Sequence, residues 1–435
     1  MFRKVKSYSV ISIVIAMILF TFSCKEKEIA IKDLYLPDLN ELFQDYDQLD
    51  STKAYANFAD KLIAANRDLQ SSEIFIEAAS LFHQAGNDEK VASLLNIAID
   101  NGMANPKILS KFQNLNLDPR EEEVKRLFHR LDSIQKKLQE VSHFSLEMES
   151  MNQFWNYFER AKNDTANARA ILKEFVFEGP IELRDFYAVR YNNIDNMYGQ
   201  MINGAPNYYS YLREQFNPDS LTALKSKTTK WMQNFKRMYP QAVFPKVYVV
   251  PGILNSGGTA TEIGMFVGGD MYGRSENMPT DGLNDWQIGA IMKFSDMPKL
   301  TIHELMHFQQ NYGDTENSEK VIGGVIGEGV CDFLVELCSG EILKNNNLSY
   351  LQDPANSSKI LKDLKSDLFT NDFSRWLYNG DIEDRPYDLG YTMGYLITKS
   401  YYENQQDKQK AITELLNTND FTHILKESAY SNLLN

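Results

Sequence analysis

The chain has 435 residues, of which 43% are hydrophobic and 12% aromatic, a composition that supports packed cores and excludes a largely disordered protein. Its formal net charge of -14 argues against a polyanionic partner such as nucleic acid, because such partners select a basic surface. The length exceeds what one small core usually serves, so we expect a larger domain and a smaller one.

The first residues have the pattern of an export signal. Three basic residues within the first six precede an apolar run over residues 8–22, which is too short for a comfortable membrane-spanning helix and meets a cysteine. The segment Thr21-Phe22-Ser23-Cys24 resembles the lipobox of bacterial lipoproteins. The resemblance implies that residues 1–23 form a signal peptide and that Cys24 carries lipid; a plain amino-terminal membrane anchor is the alternative. In both cases the remainder is expected to be extracytoplasmic and tethered to a bacterial membrane.

Residues 24–143 are predicted to form an α-helical accessory domain, because helical patterns follow one another with few β-branched runs. Within this region, residues 74–102 show two apolar helical faces separated by a break at Gly86-Asn87, and they resemble a tetratricopeptide hairpin. One such unit is fewer than the roughly three repeats that a solenoid needs. Two hypotheses remain open for this domain: a scaffold for a protein partner, or a part that only packs against the rest of the chain.

Strand patterns first appear in the middle of the chain. Residues 243–252 form a β-branched and aromatic run, and the Gly-rich residues 255–273 read as a turn followed by a strand at 263–267. Helical patterns fill the remainder, so the sheet should be small. The expected class is α+β and helix-dominated, with residues 144–435 forming the main domain.

A well-delimited helix is predicted over residues 296–313. Asp296 suits its cap, Pro298 its first turn, and Gly313 a terminating left-handed position.

This helix carries the residues with the clearest chemistry. His303 and His307 are four residues apart, so their side chains share one face and can bind one metal ion. Glu304 lies beside the pair and can accept a proton from a water held at the metal, which is the role of the glutamate in a His-Glu-x-x-His motif.

A second helix is predicted over residues 321–337, where Glu328 follows the histidines by a gap that lets the chain return antiparallel. Glu328 is expected to be a third metal ligand, which leaves a fourth position open, as a catalytic zinc requires. Asp332, four residues later on the same face, can accept the other ring N–H of a liganding histidine. Glu336, one turn further, is expected to be solvated.

Cys331 and Cys338 lie seven residues apart in the same predicted helix. A rise of 1.5 Å per residue puts their Cα atoms about 10 Å apart, beyond the reach of a disulfide. Both are therefore predicted to be small buried hydrophobic residues.

The pattern His303-Glu304-x-x-His307 followed by Glu328-x-x-x-Asp332 resembles the thermolysin-type gluzincin arrangement. The resemblance implies a zincin-like domain with zinc as cofactor, His303, His307 and Glu328 as ligands, Glu304 as base and Asp332 as the outer carboxylate. A wider stretch that includes "FPKVYVVPG", "GEGVCDFLVEL" and "RPYDLGYTMGY" is similar to a family of bacterial predicted zinc-dependent proteases, some of whose relatives are lipoproteins linked to gliding motility.

Two further features concern the substrate. The strand at 263–267 stands upstream of the metal helix, where zinc peptidases place an edge strand that pairs with extended substrate; a core strand is the alternative.

Tyr387, Tyr391 and Tyr395 recur every four residues, which places them on one helix face. We predict that Tyr391 donates a hydrogen bond to the oxyanion, with Tyr387 as the second choice and simple packing as the alternative.

The leading hypothesis is zinc-dependent hydrolysis of a peptide bond in an extracytoplasmic protein or peptide. The second is a noncatalytic lipoprotein whose peptidase-like fold acts in assembly or binding, and the third is hydrolysis of another amide, such as a cell-wall peptide. The intact Glu304 favours an enzyme, because a binding module needs no base beside its metal.

Overall fold

The structure, a computed structural model, describes residues 30–434 apart from residues 315, 381 and 384. The predicted signal peptide and Cys24 lie outside the described residues. The fold is 62% helical with a small mixed sheet of four strands, so the expected helix-dominated α+β class is confirmed. Over the described ranges, no helix is both long and apolar enough to cross a membrane.

The first part of the described chain is helical. Its helices are α1 (Leu39–Leu42), α2 (Leu49–Thr52), α3 (Tyr55–Ala65), α4 (Ser72–Gln84), α5 (Glu89–Asp100) and α6 (Glu122–Leu138). Helices α4 and α5 form the hairpin predicted within residues 74–102, and Gly86 adopts a left-handed φ of 74° in the turn between them.

After the short strand at residues 146–147, helices continue to residue 238. They are α7 (Glu149–Asn163), α8 (Ala168–Glu178), α9 (Glu182–Phe186), α10 (Ile194–Met197), α11 (Pro206–Gln215) and α12 (Pro218–Met238). Two π-helical segments, Tyr187–Tyr191 and Tyr198–Gly204, directly follow α9 and α10.

The sheet consists of β1 (Leu146–Glu147), β2 (Val247–Val250), β3 (Gly258–Thr261) and β4 (Gly264–Gly268), in the order β1-β2-β4-β3. Strands β1, β2 and β4 are parallel, and β3 is antiparallel to β4. The predicted strand at 263–267 is β4, whose five residues are all buried between two neighbours, so the core-strand alternative is correct. The edge strand beside α14 is β3, which lies in the segment predicted to be a turn, because its residues are small and it begins with a glycine.

The remaining helices are α13 (Asp285–Ala290), α14 (Met297–His307), α15 (Val321–Ser339), α16 (Asn346–Leu351), α17 (Pro354–Asp367), α18 (Leu389–Asn404), α19 (Lys408–Leu416) and α20 (Phe421–Lys426). Helix α14 ends six residues before Gly313, and Gly313 is not left-handed, so the predicted terminus is wrong. The reason is tertiary: the amides of Asn311 and Gly313 donate to the carbonyls of Leu416 and Thr418 instead, at 2.8 and 2.9 Å. Asp296 occupies the N-cap position without a side-chain capping bond.

Helices α15 and α18 cross in direct backbone contact. A Cβ on Gly394 would lie 1.8 Å from the carbonyl oxygen of Val325, and a Cβ on Gly329 would lie 1.9 Å from the carbonyl carbon of Gly394. Only glycines permit this approach. The crossing brings the first turns of α18 against the middle of α15.

Only two of the three tyrosines predicted to share one helix face lie in a helix. Tyr387 precedes α18 and is 58% exposed, so it does not share a face with Tyr391 and Tyr395. The Tyr395 hydroxyl donates to Glu336, which also accepts from Lys399 Nζ at 2.7 Å. The prediction that Glu336 is merely solvated is therefore wrong, because α18 covers it.

Cys331 and Cys338 are both free and buried, as predicted.

The helical region and the sheet region meet at the amino terminus of α4. The buried carboxylate of Asp185 in α9 accepts hydrogen bonds from Ser71 Oγ, Ser72 Oγ and the Glu73 amide, at 2.5, 2.9 and 3.0 Å. Glu73 in turn accepts from the Glu262 amide in the β3–β4 turn at 2.7 Å. A continuous core of buried apolar side chains runs through both regions.

This junction predicts a pH dependence of stability. Burial, together with the charge of Asp185, raises the pKa of Glu73 from 4.5 to about 8. The folded protein therefore holds a proton that the unfolded chain releases, so the stabilisation is complete below pH 4.5 and is lost as the pH rises through 8. We expect Glu73→Gln, which keeps the acceptor, to raise the free energy of unfolding at about pH 8.5 by up to about 2 to 4 kcal/mol.

Thermal or urea unfolding at about pH 5 and pH 8.5 would measure this difference. The exposed Glu89→Gln serves as the control and should change neither value. Equal effects of Glu73→Gln at the two pH values would show that the carboxyl titrates normally.

Candidate metal centre

Two helices bring four of the predicted site residues together. Helix α14 carries His303 and His307, and α15 carries Glu328 and Asp332. One carboxylate oxygen, Oε2 of Glu328, lies 3.1 Å from Nε2 of His303 and 3.4 Å from Nε2 of His307. His303 and Glu328 are both buried. The three predicted ligands therefore converge on one point between the helices.

The separation of these donor atoms suits zinc. Ligand atoms at 2.0 to 2.1 Å from a tetrahedral ion lie roughly 3.3 Å apart, which matches the observed 3.1 and 3.4 Å. Two imidazoles and one carboxylate are also the donor types of a catalytic zinc with an open position. The residues present thus fit the metal.

Cys331 is a second candidate for the third ligand. His303, His307 and Cys331 offer ligand atoms within 4.8 Å of one another, a group that could hold a metal ion. The Cys331 sulfur lies 3.8 Å from Nε2 of His307 and 3.5 Å from its Nδ1. We favour Glu328, because its oxygen faces the Nε2 atoms of both histidines, whereas the sulfur lies nearer the Nδ1 side of one. Cys331 is buried as predicted, but it is also part of the site.

The Nδ1 atom of each histidine, on the opposite side of the ring from Nε2, has a side-chain partner that holds the ring in place. His303 Nδ1 lies 2.9 Å from Asp332 Oδ1, as the spacing predicted. His307 Nδ1 lies 2.9 Å from Gln310 Oε1, and the Gln310 amide nitrogen donates to the Gly327 carbonyl at 2.8 Å. Sequence reasoning missed Gln310; the signal available was a polar residue three positions after the second histidine, in the turn that follows α14.

The cluster is strongly coupled electrostatically. Burial lowers the pKa of His303, but the hydrogen bonds with Asp332 and Glu328 outweigh it and raise that pKa to about 10. Burial raises the pKa of Glu328, yet the hydrogen bonds with both histidines outweigh it and hold that pKa well below its usual range. Metal coordination needs neutral imidazoles, so metal binding must release protons.

Glu304 lies between the metal centre and the edge strand. A Cβ on Gly258 in β3 would lie 2.5 Å from Glu304 Cγ and 2.9 Å from its Oε1, so β3 passes directly beside the carboxylate. Within the described part of the chain, Glu304 accepts no hydrogen bond. Its carboxylate is thus free to take a proton, and only glycine at position 258 allows this approach.

Two tyrosines lie beside the predicted ligands. The ring of Tyr391 is 6.1 Å from that of His303 and 6.2 Å from that of Tyr378. Tyr378, in turn, donates to Glu328 Oε1 at 2.7 Å. Tyr378 was missed by sequence reasoning. It is 75% exposed and has a left-handed φ of 57°, a conformation that is uncommon for an aromatic residue and that clusters at functional sites. Burial raises the pKa of the Tyr391 hydroxyl. The ring of Tyr378 is exposed, but partial burial of its hydroxyl, together with the charge of Glu328, raises the pKa of that hydroxyl too, so both groups remain hydrogen-bond donors.

A cavity of about 200 Å³ opens beside His303 and Asp332. Apolar side chains such as Met292 and Leu300 supply most of its exposed lining surface, and the charged residues Lys299 and Glu341 also line it.

A sequence family described as "Predicted Zn-dependent protease (DUF2268)" matches residues 286–422. The match covers just under a third of the chain and spans α14, α15 and α18, the helices that carry the site. This family description supports a zinc-dependent protease and zinc as the metal. No curated protein and no solved structure matches the chain.

Proposed function

We propose that this protein is a zinc metallopeptidase of the gluzincin type, which hydrolyses peptide bonds outside the cytoplasm. The observation that carries the proposal is the position of Glu304. Its carboxylate has no hydrogen-bond partner among the described residues. On one side of it lie the two histidines and Glu328, and on the other side lies the edge strand β3. A structural metal site needs no such group.

The chain's own residues supply most of the mechanism. His303, His307 and Glu328 would hold zinc, which when bound would supply a Lewis acid that polarises the substrate carbonyl and acidifies the attacking water. Glu304 takes the proton of that water and passes it to the leaving amine. Among the described residues, strand β3 pairs with β4 alone, so its other edge can bind extended substrate through main-chain hydrogen bonds.

Negative charge builds on the former carbonyl oxygen, and a phenol donor stabilises it. We expect Tyr391→Phe to lower kcat by about a hundredfold while zinc content and thermal stability stay nearly unchanged. Tyr378→Phe is the matched comparison, because it removes the donor to Glu328 and should mainly weaken zinc binding. Full kcat in Tyr391→Phe would make that tyrosine a packing residue, with Tyr378 rather than the distant Tyr387 as the next candidate donor.

The test of the proposed function is hydrolysis of a mixed peptide library by the zinc-loaded protein, read by mass spectrometry, with Glu304→Gln as the inactive control. Cleavage that disappears on chelation and returns with zinc is expected. A protein that binds zinc stoichiometrically but cleaves no peptide would instead support the noncatalytic hypothesis, and cleavage confined to cell-wall peptides would support the third.

We also propose that the protein is anchored to a bacterial membrane through lipid on Cys24, and that the helical region 24–143 is available to a protein partner. The leader pattern supports the first proposal, and the α4–α5 hairpin supports the second. Partition of the full chain into a detergent phase, lost in Cys24→Ser, would test the anchor.

A further inference from the structure

The π-helical segment after α9 places a cation beside the edge strand. Arg190 Nε donates to Thr259 Oγ1 in β3 at 2.8 Å, and that hydroxyl is hydrogen-bonded to Ser256 Oγ at 2.9 Å. The Arg190 carbonyl also accepts from Asn255 Nδ2 at 3.1 Å. The side chain and the backbone of this arginine are thus both fixed against the segment that leads into β3.

The register of the sheet shows which face Arg190 occupies. Thr259 lies opposite Phe266 in β4, and directly opposed residues project to the same face. Phe266 packs on Phe186 of α9, with ring centroids 5.1 Å apart. The neighbouring Gly258 faces Glu304 and α14. The catalytic helix and Arg190 therefore approach β3 from opposite faces of the sheet.

Most N–H donors of the Arg190 guanidinium have no hydrogen-bond partner among the described residues. A guanidinium has five N–H donors, and the Nε donor is the one with a partner among the described residues. No carboxylate in the described ranges forms an ion pair with Arg190. The side chain is partly buried, and burial lowers its pKa while the nearby charge of Glu304 acts in the opposite direction. A partly desolvated guanidinium with unused N–H donors can bind an anion.

We propose that Arg190 binds a carboxylate of the peptide substrate, and so makes the site selective for acidic side chains or for a free carboxyl terminus near the scissile bond. The inference rests on the proposed function, since the peptide must lie along β3. Side chains of a paired strand alternate between faces. An acidic residue should therefore be preferred at one position whose side chain lies on the Arg190 side of the strand, whereas the side chains on either side of it face α14.

The experiment compares the wild type with Arg190→Gln on peptide sets that are identical except for Glu or Gln at one position at a time. Each set is made with an amidated and with a free carboxyl terminus. We expect the wild type to favour Glu over Gln by about tenfold in kcat/KM at one position, or free over amidated termini by the same factor. Arg190→Gln should lower kcat/KM for the carboxylate-bearing peptides far more than for the neutral ones, so that this preference is lost. The exposed Arg213→Gln is the charge-matched control.

The experiment distinguishes an acidic side chain from a free carboxyl terminus as the group that Arg190 binds, because amidation removes only the terminal carboxylate. An unchanged Glu-to-Gln ratio and an unchanged free-to-amidated ratio in Arg190→Gln would overturn the inference. A uniform loss on all peptides would also overturn it, since that result would mean that Arg190 acts on Glu304 rather than on substrate.

A binding measurement keeps the inference independent of turnover. Fluorescence anisotropy of labelled Glu and Gln peptides is recorded with the zinc-loaded Glu304→Gln protein, with and without Arg190→Gln. Tighter binding of the Glu peptides that depends on Arg190 would support the inference even if the protein hydrolysed nothing, whereas cleavage without any carboxylate preference would retain the proposed function and reject the inference.

Discussion

Glu304→Gln should keep its zinc and lose peptidase activity, with kcat reduced by about a hundredfold to ten-thousandfold. The amide has nearly the shape of the carboxylate, so it fits against Gly258, where Cγ and Oε1 already stand close to the strand. It cannot, however, take a proton from water. Because Glu304 accepts no hydrogen bond within the described part of the chain, no internal partner is lost by the change.

Steady-state hydrolysis and elemental analysis of the same preparations would measure this result. The exposed Glu319→Gln is the matched control and should behave as the wild type. The loss should fall on kcat rather than on KM, because the residue acts in the transition state and not in substrate binding. Turnover at the wild-type rate in the zinc-loaded Glu304→Gln protein would contradict the assignment of the base.

Glu328→Ala should abolish stoichiometric zinc binding. The carboxylate oxygen of Glu328 faces the Nε2 atoms of both His303 and His307, at 3.1 and 3.4 Å, so its removal takes away one of three converging donors. The expected loss of affinity exceeds the roughly 10- to 100-fold that follows removal of an outer partner. Asp332→Asn, which changes the partner of His303 Nδ1 at 2.9 Å, should show that smaller effect.

Cys331→Ser decides between the two candidate third ligands. The sulfur lies within 4 Å of His307, so a thiolate ligand is the competing assignment. Zinc affinity is measured by titration against a chromogenic zinc chelator. We expect Cys331→Ser to bind zinc as tightly as the wild type and Glu328→Ala to bind almost no zinc. The reverse order would assign zinc to two histidines and a thiolate. Thermal unfolding without metal would show whether either variant has lost its fold.

Features that depend on near neighbours in the chain could be read from the sequence. The spacing of His303 and His307 places both on one face of any helix, because helical periodicity is local. The hairpin of α4 and α5 and the break at Gly86 followed from the same periodicity. The proximity of Glu328 and Asp332 to the histidines was also predictable, since two helices joined by a short connection return alongside one another. The roles of these residues at the metal stay predictions.

Only the tertiary structure decided the rest, because the forces are non-local. The edge strand is β3 rather than β4, since β2 joins the sheet on the far side of β4 and buries it. Helix α14 ends at His307 because carbonyls from about a hundred residues away take the amides that would have continued it.

The same holds for the residues that sequence reasoning missed. Gln310 follows the end of α14, Tyr378 reaches Glu328 from a left-handed backbone position, and Arg190 meets β3 across the sheet. Glu336 is bonded rather than solvated because α18 crosses α15 at Gly329 and Gly394. The sequence by itself predicted which polar residues of α14 and α15 lie together. The packing of distant segments determined what surrounds them, because contacts between distant segments leave no periodic pattern in a single chain.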